Sequence, residues 1–385
     1  MAEQVKCLKT NIERCKDYMR KQELIGVKTF GFELKPETDE VIITKYYENS
    51  DDFRIIEIPL FVTGFEIKCD RRGFIEESIF SYVKQSLKVI NRNKNIIDMS
   101  GLFYEFEGER IDLSEFDTSM AIDMQSMFER CSDIKELDLS NFDTRNVKDM
   151  KDMFFDCISL QRIDLSSFDM SNVEDMSSMF NNCSNIEELD LSNFNTSKVK
   201  DMGFMLYRCE KLVNLNLNNF DTSEVTNMAR MFYYCTSLEE LDLSNFNTSK
   251  VKDMNCMFYK CENLKKLDLS NFDTSKVKSM NKMFYKCENL KKLDLSNFDT
   301  GNVEDMRGMF SGCCRLTELD LSSFYTSKVK GMNCMFYKCK KLKVIEFNNV
   351  STESLENMTC IFDECDNLDL VVTSNNRIMT AFRNK

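Results

Sequence analysis

The sequence predicts an α/β solenoid, a right-handed stack of about ten 26-residue coils with a parallel β-sheet on one face and short helices opposite. Three observations predict it. Ten cysteines, from Cys131, Cys157 and Cys183 through Cys339 and Cys365, fall 26 residues apart with no insertion or deletion. Methionines from Met150 to Met332 and phenylalanines from Phe142 to Phe324 keep the same period. Each period also joins an L-x-L step to a V-x-x-M-x-x-M-F-x-x-C step. A register that never drifts means stacked, equivalent coils, because one coil alone cannot bury its Leu, Phe, Met and Cys.

A single coil supplies the elements in order. Leu264 to Leu269 follows L-x-x-L-x-L, so Leu267 and Leu269 point one way and Asp268 the other, as in a short half-buried strand. Asn271 to Ser275 is a polar turn whose Thr274 and Ser275 suit the start of a helix. Val277, Met280, Met283, Phe284 and Cys287 then recur at spacings that fit one face of a short helix. Coils stacked about 4.8 Å apart would pair their strands in parallel and make a rod roughly 50 Å long. The Cys, Met and Phe columns are expected to be core ladders. A metal-thiolate array needs clustered spacings such as C-x-x-C, and none occurs. Cys256, Cys334 and Cys360 lie five residues before ladder cysteines, off the expected helical face, and are expected to be exposed thiols.

The ends depart from the pattern as solenoid caps do. Met99, Leu102 and Phe103 mimic the Met-x-x-Met-Phe step, with Phe106 in the cysteine's place. At the finish Val350, Leu355 and Ile361 replace Phe, Val and Met, and Ile378, Met379 and Phe382 offer an apolar tail to fold over the last coil. The expected division is 1–98 as an N-terminal capping or accessory α+β region, 99–373 as the solenoid with degenerate caps, and 374–385 as a tail. Within 1–98, residues 3–22 and 75–90 read as amphipathic helices, and Val41 to Tyr47 and Arg54 to Ile58 as strands. Ile58-Pro59 followed by Val62 and Phe65 resembles a degenerate repeat strand and favours a cap over a separate small domain.

Composition narrows function. The 385 residues contain no histidine, which removes the usual general base at neutral pH and the commonest metal ligand. No phosphate loop, dinucleotide fingerprint or paired-acid constellation is visible, so no enzyme activity, cofactor or metal is expected. Residues 1–98 balance 17 Lys and Arg against 17 Asp and Glu, which leaves the net charge of -13 in the repeats. That sign argues against nucleic acid as partner. No apolar stretch approaches the roughly 18 residues that span a bilayer, and the first twenty residues carry eight charged side chains. With 17 cysteines, this makes the cytoplasm the expected compartment.

The motif L-D-L-S-N-F-D-T-S-x-V-x-x-M-x-x-M-F-x-x-C-x-x-L resembles the BspA-like leucine-rich repeats of bacterial surface proteins and mycoplasma-type lipoproteins, over residues 99–373. The resemblance implies a leucine-rich-repeat-like solenoid used in adhesion or partner binding, and a cell-surface or secreted location as the alternative to the cytoplasm. The chain shows neither a signal sequence, a lipobox nor a wall anchor.

The candidate site is a column of acids. Between the two leucines of each strand stand Asp138, Asp164, Asp190, Asp242, Asp268, Asp294 and Asp320, with Asp112, Asn216 and Glu346 completing the column. Two like charges about 4.8 Å apart repel by about 1 kcal/mol even in water, so the column costs stability unless something offsets it. The next outward position, Ser140, Ser166 and their equivalents, offers hydrogen-bond donors, and Lys266 and Lys292 offer counter-charges. Three readings stay open: a solvated face inherited by duplication, a recognition strip for a protein partner of basic character, and a ladder of divalent cations. The last lacks the shaped loop such ions prefer. Lys148, Lys200, Lys252, Lys278 and Lys330 alternate with acids and read as a solubilising surface.

Overall fold

The computed structural model describes residues 30–35, 40–46, 54–58, 64–65, 67–69, 75–78, 80, 87–91 and 96–385. The chain divides into two compact units, residues 1–173 and 174–385.

The first unit opens with β1 (Phe30–Lys35) and β2 (Glu40–Tyr46), an antiparallel pair. β3 (Arg54–Ile58) pairs in parallel with β7 (Leu87–Asn91), which in turn pairs in parallel with β8 (Ile111–Asp112), the first strand of the repeats. β4 (Gly64–Phe65) runs parallel to β2, and β5 (Ile67–Cys69) runs antiparallel to β6 (Ile75–Ser78). The strands expected at 41–47 and 54–58 are present within a residue. At the ends of the helix expected over 75–90 stand strands β6 and β7 instead, because long-range strand pairing overrides a local helical period there; residues 79 and 81–86 lie outside the described residues. Residues 3–22 lie outside the described residues. Two repeat strands follow, β9 (Glu136–Asp138) and β10 (Arg162–Asp164), parallel and in register.

In the second unit β11 (Glu188–Asp190) pairs with β12 (Asn214–Asn216), and β13 (Glu318–Asp320), β14 (Val344–Glu346) and β15 (Leu370–Val372) form a parallel trio. Pairing lapses between them, at the L-D-L steps of residues 241–243, 267–269 and 293–295.

The core sits inside the coils and is built of columns. In the second unit Phe232, Phe258, Phe284, Phe310, Phe336 and Phe362 stack with ring centroids 5.6–5.7 Å apart and planes within 7°. In the first, Phe103, Phe128 and Phe154 continue the same kind of stack, and Phe80 lies on Phe103 at 5.2 Å. Every ladder thiol is buried, and within each unit the Sγ donates to a carbonyl of the preceding coil, as Cys131 does to Phe103 and Cys287 to Phe258, both at 3.1 Å. The core reading of the cysteines is therefore correct.

The helices opposite the sheet are the part of the expected coil that the structure replaces. The M-x-x-M-F-x-x-C segment is a chain of turns in which alternate N–H groups leave for the next coil. Met280, Lys282, Phe284 and Lys286 donate to the carbonyls of Asp305, Arg307, Met309 and Ser311 at 2.7–3.0 Å. The N–H groups between them, of Met283, Tyr285 and Cys287, turn back three residues. Lys282 and Lys286 hold φ of 51° and 55°, and their equivalents do the same in nearly every coil. That left-handed backbone cannot continue an α-helix. Spacing is the physical reason: Tyr207, Tyr233, Tyr259 and Tyr285 stack on this side at 4.4–4.5 Å, whereas helices about 10 Å wide cannot stack at that interval. Thr274 starts no helix either. Its buried hydroxyl donates to the carbonyl of Asp299 at 2.8 Å, one member of a threonine column that ties coil to coil.

The one α-helix among the described residues is α1 (Asn376–Arg383), capped by the Asn375 side chain. It lies over the last coil as expected, with Ile378 buried, Phe382 edge-on to Phe362 and Arg377 donating to the carbonyl of Thr352.

Candidate binding surface

The L-D-L alternation sends both leucines of a coil inward and its acid to the surface. Asp138, Asp164, Asp190, Asp242, Asp268, Asp294 and Asp320 are all exposed. Where strands pair, the column is in register: Asp138 faces Asp164, Asp190 faces Asn216, and Asp320 faces Glu346. Each aspartate Oδ1 accepts the backbone N–H two residues on, at 2.8–3.1 Å, as in Asp268 with Ser270 and Asp138 with Ser140. These bonds from Ser166, Ser192, Ser244, Ser270 and Ser296 hold Asp164, Asp190, Asp242, Asp268 and Asp294 below the usual carboxylate range. The acids are thus fixed, ionised and presented. Lys266 and Lys292 do not neutralise them: both are exposed and neither enters an ion pair among the described residues. The neighbouring Lys265 pairs instead with Glu239, at 2.6 Å.

The lapse in strand pairing coincides with a broad open groove of about 830 Å³ in the second unit. Leu189, Leu215 and Leu241 form part of its lining, with half-exposed Val213 between acids Asp190, Glu240 and Asp242. An apolar strip inside an acidic frame suits a partner with apolar anchors and a basic rim. The groove was not read from the sequence; the only signal for it was the break of the acid column at Asn216.

The alternating lysines behave as a surface of ion pairs, with Lys200 bound to Glu174 and Lys330 to Glu304 at 2.5 and 2.9 Å. Of the three cysteines expected to be exposed, Cys360 is, whereas Cys334 is half-buried and Cys256 buried. Turn geometry, not a helical face, sets these exposures: Cys256 sits at φ 55°, in the same column as Arg230 and Lys282 one coil to either side. Among the described residues no cluster of three potential metal-binding side chains occurs, and no helix is long and apolar enough to cross a membrane.

Parallel strands, leucine-lined coils and a strictly repeated register define a leucine-rich-repeat-type solenoid. The chain belongs to the family described as Mycoplasma protein of unknown function, DUF285, which matches residues 77–188, 183–267 and 261–375. Among solved structures it is similar to a leucine-rich cell surface protein of Faecalibacterium prausnitzii, at 14% identity over 92% of this chain and 95% of that one, with a TM-score of 0.39. It is also similar to a leucine-rich repeat protein of Bacteroides ovatus, at 15% identity over 91% and 99% of the two chains, with a TM-score of 0.41. None of the curated proteins matches.

Proposed function

We propose that this chain is a non-catalytic scaffold that binds a protein partner of basic character along its strand side, as in adhesion. The contact residues are Asp138, Asp164, Asp190, Asp242, Asp268, Asp294 and Asp320. The observation that carries the reading is the exposed acid column, each carboxylate anchored by a backbone N–H and uncompensated by Lys266 or Lys292. Anchored like charges steer a partner and fix its register more than they add affinity. The test is side-by-side affinity capture with the native chain and a variant carrying Asn at Asp190, Asp242, Asp268, Asp294 and Asp320. Capture of the same basic partners by the native chain only, lost as salt rises, supports the proposal. Equal capture by both proteins overturns it.

We further propose that residues 1–98 cap the solenoid, on the strength of β7 pairing with β8 and Phe80 stacking on Phe103. The compartment belongs to the same proposal. Ladder thiols each directed at a carbonyl are inert in any redox environment, so the cysteine count no longer argues for the cytoplasm. We infer the cell surface, as the repeat resemblance implies. Protease treatment of intact cells should cleave the protein, and complete protection would return it to the cytoplasm.

A further inference from the structure

The turn side of the second unit presents two cations that form no ion pair among the described residues. Arg230 and Lys282 stand two coils apart, about 10 Å along the stack, with Cys256 between them. Both are held by aromatic rings and not by acids: the Arg230 guanidinium lies 5.0 Å from the Phe204 ring centre and the Lys282 ammonium 5.8 Å from that of Tyr285. Neither enters an ion pair among the described residues, in a chain whose net charge is -13. Between them opens a cavity of about 360 Å³ lined also by Tyr233, Tyr259, Asn255 and Asn281. Arg307, at its edge, is already spent on Asp305, which also lines the cavity, through three side-chain hydrogen bonds.

The tyrosines decide what such a cavity can hold. Tyr233 is covered on one face by Tyr207 at 4.5 Å and on the other by Tyr259 at 4.4 Å, and Tyr259 likewise by Tyr233 and Tyr285. Neither Tyr233 nor Tyr259, the two rings that line the cavity, has a free face for a nucleic-acid base, which removes the stacking there that single-strand binding relies on. What the column leaves for a ligand is ring edges and phenolic hydroxyls. Beside these stand the amides of Asn255 and Asn281 and the hydroxyl of Ser279, groups that both donate and accept. Donor-acceptor pairs match alcohol groups, and spare cations match carboxylates.

We propose that this cavity and the tyrosine column beside it bind an acidic polysaccharide, a chain of hydroxyl-rich sugars carrying carboxylates, with Arg230 and Lys282 each taking a carboxylate. A polymer fits better than a single sugar because Arg230 and Lys282 stand two coils apart with Cys256 between them, so the two cations call for carboxylates on different sugar units.

With no tryptophan in the chain, tyrosine emission reports on the site directly. Titrating the full chain with hyaluronate or polygalacturonate should give a saturable change that weakens as salt rises. The Arg230→Gln/Lys282→Gln variant should lose at least about tenfold in affinity, less than the worth of two charged hydrogen bonds. Arg230→Lys/Lys282→Arg should keep binding, and Tyr259→Phe, which preserves the ring stack, should weaken it. The proposal is overturned if neither acidic polymer binds, if neutral dextran binds equally, if oligodeoxythymidylate binds more tightly, or if folded Gln and Phe variants bind like the native chain.

Discussion

The two sides of the second unit solve the same stacking problem differently. On the turn side every second N–H from Met280 to Lys286 crosses to the next coil, and tyrosines stack without a gap from Tyr207 to Tyr285. On the strand side pairing lapses across three successive coils, yet Leu267 and Leu293 stay buried. Coil-to-coil cohesion therefore resides in the turns, the threonine column and the phenylalanine stack. The strand side keeps its leucines inside and is free to carry charge. Substitutions should accordingly cost much on one side and little on the other.

The largest effect is expected in the shared core. Phe284→Ala breaks a stack between Phe258 and Phe310 and should cost about 3–5 kcal/mol in chemical unfolding. A loss below about 1 kcal/mol would mean that the coils do not share one core. Thr274→Val removes a buried hydroxyl and orphans the Asp299 carbonyl, at a cost of about 1–3 kcal/mol, although the shape is kept.

Two acids, one in a turn and one on a strand, titrate with opposite sign. In the first unit's turns, burial pushes the Glu129 carboxyl up to about 7, against its hydrogen bond from Ser126. The folded state then binds more protons than the unfolded one between about 4.5 and 7, so this group lowers stability as pH rises through that window. Glu129→Gln should gain on the order of 1–2 kcal/mol over the native chain at pH 8 and nothing at pH 4. Asp268, held down by the Ser270 N–H, has the opposite slope: its contribution is present above the usual carboxylate range and is lost as pH falls below it. Asp268→Asn keeps the Oδ1 acceptor and should leave the thermal melting midpoint at neutral pH nearly unchanged. A large loss there would place structural load on the strand side and break the comparison.

Thiol labelling gives the finest resolution. Cys360 should react first, Cys334 more slowly, and Cys256 together with the buried ladder only on unfolding, as read by mass spectrometry of alkylated peptides. Burial also raises the thiols of Cys209, Cys235, Cys261 and Cys287, with Cys209 pushed up to about 12, which removes the reactive thiolate there. Fast labelling of Cys287 would contradict its place in the core.

The period was fully legible in the sequence because each coil repeats one set of inward residues, and an inward residue needs only the right size and polarity. Strand registry, the buried cysteines and the exposed acid column followed from it. The helices did not. Spacings of three and four residues from Val277 to Cys287 fit a helical face, but they fit a run of turns equally well. A faint signal was present: Gly101 and Gly308 occupy one left-handed column and Gly312 the other. Side chains such as Arg230, Tyr234 and Lys260 at the same positions hid it. The tyrosine-lined cavity was invisible for a related reason, since its residues come from successive coils and meet only through stacking.

By itself, then, the sequence determined that the coils are equivalent, which residues face inward and where the negative charge is displayed, because these depend on composition at a fixed period. Tertiary structure decided how the turn side is built and what that side presents. A segment with alternate N–H groups unspent is unfavourable in isolation, and it becomes stable only when the next coil lies close enough to accept them.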